Sequence, residues 1–176
     1  MSNYRRSHVE GGCYFFTVVL ANRGYSLLTD YIDNLREAFR GVMRVHPFQI
    51  DAAVVLPNHL HCILTLPAGD DNYSMRWRQI KSAFSRQLPL IESRSTSRLN
   101  KGERGIWQRR FWEHVIRDER DYHRHVEYIH YNPVKHGYVK RVVDWEYSSF
   151  HRAIRQGIYP SNWSGDEVDK NLNLEE

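Results

Sequence analysis

Cysteine is nearly missing from this chain of 176 residues: Cys13 and Cys62 are the only two. No disulfide framework is expected to hold the fold, and a reducing cytoplasm is the expected setting. Long apolar runs are also missing. No stretch approaches the ~20 residues that a membrane-crossing helix needs. The opening residues Met1-Ser2-Asn3-Tyr4-Arg5-Arg6 lack the apolar core of a secretory leader, so neither a membrane partner nor export is expected. Acid is scarce over most of the length. The net charge is +4, but residues 164–176 hold five acids and one lysine. That tail's −4 leaves +8 on residues 1–163.

What is present suits a soluble globular protein: 41% hydrophobic residues, 13% aromatic and a mean hydropathy of −0.66. The length fits a single domain over residues 1–163 followed by an acidic, flexible tail over 164–176. Such a tail either solubilises the chain or folds over a basic cleft. A basic, aromatic-rich body favours a polyanion, because Lys and Arg neutralise phosphates and ring faces stack on exposed bases. A basic protein with no such partner has the same composition, so the motifs must decide.

Residues 13–20 (CYFFTVVL) form an apolar, β-branched and aromatic run between glycine-containing turns, which predicts a buried strand. Ile32, Leu35, Phe39, Val42 and Met43 recur at helical spacing and predict a helix over 30–45, capped by Thr29 or Asp30 and followed by Pro47. Strands are predicted over 48–56 and 59–66, separated by Pro57-Asn58. Trp77, Ile80, Phe84 and Leu88 share one face of a predicted helix over 74–88. Residues 92–105 (ESRSTSRLNKGERG) are polar and apolar-poor, and read as a mobile loop. A fourth strand with its approach is predicted over 106–117, and a third helix over 118–131. The order strand, helix, strand, strand, helix, strand gives an α+β class: a ferredoxin-like split βαβ antiparallel sheet with helices packed on it.

Two short stretches carry the chemistry. Side chains alternate faces along a strand, so His59 and His61 point one way while Leu60, Cys62, Leu64 and Leu66 point the other. Two imidazoles ~6–7 Å apart at Cα can converge on one metal ion, although such pairs more often hydrogen-bond locally. On the third helix, Tyr122, Val126 and Ile129 form a packing stripe. Asp121, Arg124, His125, Tyr128, Asn132 and Lys135 gather on a separate polar flank. Tyr128 and Asn132 stand one turn apart. Asn132 precedes Pro133, which disfavours helical geometry and is expected to end the helix there, leaving an amide oxygen available to a metal. Taken singly, Tyr128 reads equally as a packing residue and Asn132 as a helix terminator. The residue types also leave the metal open: imidazole suits zinc, iron or nickel, and an amide oxygen suits magnesium or manganese.

These residues resemble, in this order, the single-tyrosine HUH transposases, named for histidine, hydrophobic, histidine. The resemblance is to the REP-associated tyrosine transposase group in particular. It runs through Tyr4-Arg5-Arg6, Gly11-Gly12, Phe15-Phe16-Thr17-Val18 and Val54-Val55-Leu56-Pro57-Asn58-His59-Leu60-His61-Cys62. It continues through Trp107-Gln108, Phe111-Trp112-Glu113-His114, and the run from Tyr128-Ile129-His130-Tyr131-Asn132 to Pro133-Val134-Lys135-His136-Gly137. It closes on Ser148-Ser149-Phe150-His151-Arg152 with Tyr159-Pro160. Residues 92–105 are longer than that family's pattern needs.

The resemblance implies an HUH nuclease fold in which His59, His61 and Asn132 bind Mg²⁺ or Mn²⁺ and Tyr128 is the nucleophile. It implies cleavage and rejoining of single-stranded DNA through a 5′-phosphotyrosine, next to a REP-like hairpin with a short 5′ guide tetranucleotide, by a nucleoid-associated monomer acting in cis. Tyr131 lies about 300° round the helix from Tyr128 and is not a second nucleophile. His125 is a candidate proton relay. Candidate phosphate contacts are Arg5, Arg6, Arg78, Lys81, Arg86, Arg109, Arg110 and Lys135, and candidate stacking residues are Trp112, Tyr73 and Trp77. Two competing readings keep the same residues: a non-catalytic binder of hairpin DNA, and a metallohydrolase that uses an activated water.

Overall fold

Four strands form one antiparallel sheet in a computed structural model that describes residues 6–166 and 168. They are β1 (Cys13–Val19), β2 (Gln49–Val55), β3 (His59–Thr65) and β4 (Trp112–Val115), in the order β2-β3-β1-β4. The predicted split βαβ arrangement is the observed one. Every neighbouring pair is antiparallel, and β1 and β2 are separated by β3. The fourth strand is shorter than its apolar run, because residues 106–111 approach the sheet before pairing begins. One bridge of that approach, Leu20 to Trp107, extends the β1 edge.

Alternation sorts the side chains as the pattern requires. Tyr14, Phe16, Val18, Leu60, Cys62 and Leu64 lie on one face in the larger core. The helices α1 (Leu27–Asp30), α2 (Ile32–Val45) and α3 (Tyr73–Gln87) contribute to the same core, through Leu28, Leu35, Trp77, Ile80 and Phe84. The expected cap of the first long helix is not formed. Asp30 accepts a hydrogen bond from the Ser26 hydroxyl at 2.5 Å, and Tyr31 separates the single turn α1 from α2. Side-chain caps are formed on two later helices: Asn72 accepts from the Met75 N–H, and Asp118 from the Asp121 N–H.

The opposite face is covered by one long helix, α5 (Glu119–Lys135), which follows the short α4 (Thr96–Asn100). Phe15, Ala52, Val54 and Ile63 of the sheet meet Val126, Tyr128 and Ile129 there. The terminal α6 (Phe150–Arg155) is tied to the sheet by the segment before it: Tyr147 O accepts from Val55 N, and Ser149 N donates to Ala53 O. These bonds cover the outer edge of β2.

Two local expectations are corrected. Pro133 does not end α5, which runs on to Lys135 with the proline inside it. The terminator is Gly137, at φ 74°, a left-handed conformation that glycine adopts without strain. Its N–H donates to Val134 O, and the Tyr138 N–H to Pro133 O, a glycine-based end that satisfies the last carbonyls. The loop expected over 92–105 carries α4 and is bound to the end of α3. Arg104 donates to Glu92, Ser85 O, Leu88 O and Pro89 O. Arg5 and most of the acidic tail lie outside the described residues. Among the described residues, no helix is long and apolar enough to cross a membrane.

Candidate active site

The pleat of β3 turns His59 and His61 toward α5, and their order along the strand fixes their spacing. Their rings lie 5.0 Å apart, nearly perpendicular, and both are buried. Each is oriented by a neighbour. His59 Nδ1 lies 2.7 Å from Asn58 Oδ1, and His61 Nδ1 lies 2.8 Å from Thr17 Oγ1. Thr17 is the residue paired with His61 across the β1–β3 ladder. With both Nδ1 atoms engaged, Nε2 is the nitrogen through which either ring can ligate. Burial first, and then the nearby His59, His136, Lys135 and Arg23, push the His61 pKa well below its usual value. The imidazole is thereby kept neutral.

Helix α5 lays three residues along this pair at intervals of four. The Tyr128 ring stands 5.3 Å from His61, edge-on, and the His136 ring 5.1 Å from His59. Asn132 lies between them, one turn from each. The flank expected to be polar and separate from the packing stripe is thus buried against the sheet: His125, Tyr128 and Asn132 are each at most 3% exposed. The sheet accommodates it because Thr17 and the histidines make that part of its surface polar.

Buried polar groups are ordinarily hydrogen-bonded. Here His61 Nε2 and both amide atoms of Asn132 are buried with no hydrogen-bond partner. Two imidazoles and an amide oxygen on one side of a sheet make a donor set that fits a divalent cation. The cation would take up the lone pairs now left without donors.

Other assigned residues fall differently. Lys135 is exposed along its length but reaches back to the tyrosine, with Nζ 3.3 Å from the Tyr128 hydroxyl and 4.8 Å from its ring centre. His125 is buried rather than on the surface. The Phe15 ring contacts His125, Tyr128 and His61, at 4.9, 6.1 and 5.6 Å respectively. His125 instead joins His114 and Asp121, whose potential ligand atoms all lie within 4.8 Å of one another. An ion lies near the plane of each imidazole that binds it. The His114 and His125 rings are stacked 4.6 Å apart at 13°, so their planes share no such point. Asp121 instead ties the two rings in place: its carboxylate lies 2.8 Å from His114 Nε2, and its main-chain carbonyl accepts from His125 Nδ1 at 2.7 Å. Burial raises the Asp121 pKa, and hydrogen bonds from His114 and the Arg117 N–H outweigh that and leave it lowered.

Tyr73 and Trp77 are not available for stacking on bases: both are at most 1% exposed, inside the larger core. The Tyr73 hydroxyl donates to Ser7 O, and its ring packs on Tyr14 at 4.8 Å. Trp112 is half-buried on the α5 face. Tyr131 lies against Gly165, away from the histidines. Arg6, Arg78, Lys81, Arg86 and Arg109 line a single groove on the other side of the sheet, and Arg110 is exposed just before β4.

Thr17, Phe15 and His136 are the site residues that sequence reasoning missed. His136 follows the same four-residue step as Tyr128 and Asn132, a signal hidden by ending the helix at Pro133. Thr17 had no local signal, since only the β1–β3 register brings it to His61.

No protein-family model matches the chain. A REP-associated tyrosine transposase from Escherichia coli (strain K12) is 51% identical over 169 residues, 96% of this chain and 94% of the relative. A Haemophilus influenzae protein assigned provisionally to the same group is 52% identical over 167 residues, 94% of this chain and 95% of the relative. A solved structure of a REP-associated tyrosine transposase bound to a REP hairpin superposes with a TM-score of 0.85. It shares 49% identity and spans all of this chain and 98% of the other.

Proposed function

Because the chain belongs to the REP-associated tyrosine transposases, we propose that it cuts and rejoins single-stranded DNA beside a REP-type hairpin, with Tyr128 as the nucleophile. One observation carries the reading: the Tyr128 ring lies 5.3 Å from His61 within a single chain. A tyrosine and an HUH pair that meet without a second subunit support a monomer acting in cis.

In this reading His59, His61 and Asn132 hold a Mg²⁺ or Mn²⁺ ion. When bound, the ion polarises a non-bridging phosphate oxygen and orients the scissile bond. Everything else falls to the chain. Tyr128 Oη attacks the phosphorus, the bond from phosphorus to the 3′-oxygen breaks, and a 5′-phosphotyrosine and a free 3′-hydroxyl result. The phenol's proton leaves as the P–O bond forms, since a phenol with a pKa near 10 is a poor nucleophile while protonated. The leaving 3′-oxygen takes up a proton. Attack on the phosphotyrosine by a 3′-hydroxyl reverses these bonds and reseals a strand without ATP, because the number and type of phosphoester bonds are conserved. Thr17 and Asn58 hold the imidazoles in place, and Lys135 adds positive charge where the phosphate arrives.

A hairpin oligonucleotide with a single-stranded 5′ arm, incubated with Mn²⁺, should give a protein–DNA adduct that survives denaturation. Tyr128→Phe should eliminate the adduct while hairpin binding persists. An adduct that persists in Tyr128→Phe would remove this tyrosine from the chemistry. Hydrolysed ends without any adduct would point to an activated water.

A further inference from the structure

Beyond α5 the chain carries a row of rings away from the histidines before it pairs with β2 at Tyr147. The His136 ring stands 5.1 Å from His59, Tyr138 6.2 Å from His136, and Trp145 5.3 Å from Tyr138. The last two pairs are tilted, at 39° and 38°. Tyr138 stands out in this row. Among the described residues it is the one tyrosine, tryptophan or phenylalanine that is exposed, at 43%. A single exposed ring is ordinary on a protein surface, so its surroundings must give it meaning.

The ring stands on a fixed backbone against a fixed partner. The Tyr138 N–H donates to Pro133 O, in the glycine turn that follows α5. Trp145 Nε1 donates to Val55 O at 3.0 Å, and Trp145 O lies 2.8 Å from His151 Nε2. The tryptophan ring packs against the smaller core under α5. A tyrosine has few rotatable bonds, so one already held in this way loses little freedom on taking up a ligand.

Its place relative to the reacting atoms follows from α5. Tyr128 stands beside His61 and His136 beside His59, with Asn132 between them. In phosphoryl transfer the attacking and leaving oxygens lie roughly in line across phosphorus. With Tyr128 attacking from the His61 end, the leaving 3′-oxygen departs toward His59 and His136. The nucleotide that carries this oxygen is thereby directed toward Tyr138. An unpaired base stacks on an aromatic face, whatever its sequence, because every base has a π-face of its own.

We propose that Tyr138, backed by Trp145, is the stacking platform for the base of the nucleotide just 5′ of the scissile phosphate. The assignment rests on the function proposed above. After cleavage that nucleotide ends in the free 3′-hydroxyl. Stacking on Tyr138 keeps this end beside the phosphotyrosine, where it is available for resealing. Tyr138 is thus a positioning residue, which holds the strand and takes no part in the bonds that form and break.

The test places 2-aminopurine, whose fluorescence is quenched by stacking, in turn at each unpaired position of a hairpin oligonucleotide. Tyr128→Phe protein with Mg²⁺ keeps the strand whole during the scan. Quenching on binding should appear at one position, persist when Tyr138→Phe is added, and be lost with Tyr138→Ala. In protein that retains Tyr128, Tyr138→Ala should speed loss of the fragment with the free 3′-hydroxyl by about tenfold, the scale of one base stack. The quenched position should be the last nucleotide of that fragment. A scan without any Tyr138-dependent position overturns the proposal, as does a dependent position on the other side of the cut. The scan needs no cleavage, so failure of the Tyr128 chemistry, read as absence of adduct, and failure of the platform are separate results.

Discussion

The two faces of the sheet solve opposite problems. Toward α2 and α3 the interior is apolar, dominated by Tyr14, Phe16, Trp77, Phe84 and Leu64, and the positive charge sits outside it, on a groove rim. Toward α5 the polar groups are inside: His61 and Asn132 are buried with nitrogen and oxygen atoms that have no hydrogen-bond partner. A buried polar atom without a partner costs roughly 1–3 kcal/mol. The first face therefore holds the domain together. The second gives up stability to keep lone pairs available.

The sharpest way to test that contrast is to remove bulk from the stable face. Trp77→Ala should lower unfolding stability by about 3–5 kcal/mol in a urea titration. A loss below about 1 kcal/mol would mean that this face is not where stability resides.

Next in size is a change to the support of the second face. Thr17→Val removes the oxygen 2.8 Å from His61 Nδ1 while keeping the shape of the side chain. Loss of such a supporting bond should weaken metal affinity about 10- to 100-fold, read as the Mn²⁺ concentration needed for half-maximal adduct. An unchanged Mn²⁺ requirement would show that the ladder partner does not orient the ring.

The smallest effect has the most informative sign. Asn132→Leu replaces an amide that lacks partners by an apolar group of similar size. It should raise stability by about 1 kcal/mol while abolishing adduct formation. A destabilised Asn132→Leu would break the comparison, because it would mean that the amide is satisfied in solution.

Much of this contrast was legible before any coordinates. Strand alternation alone placed Leu60, Cys62 and Leu64 opposite His59 and His61, because a period of two leaves no choice of face. The stagger of Tyr128 and Asn132 followed equally directly from the helical period. What escaped were features set by non-local partners. Pro133 removes only one hydrogen bond from α5, and burial of Val126, Tyr128 and Ile129 against the sheet outweighs that local preference. The helix reaches Lys135, and His136 at its C-cap enters the site. Residues 92–105 look structureless because their composition is polar, yet the order they have comes from one arginine gathering the carbonyls at the end of α3. Tyr73 fitted a stacking role by type, and only its burial among Tyr14 and Phe16 excludes it.

The even stepping of Tyr128, Asn132 and His136 along α5 constrains how this protein can evolve. Each step of four residues brings the helix back to nearly the same bearing, so residue count along this segment works as a ruler. Replacing one of the three changes a functional group and leaves the other two in place. Inserting or deleting a single residue between them turns everything beyond it by about 100° and carries the displaced side chains off the histidines. Within these nine positions lineages can drift in composition, but not in length.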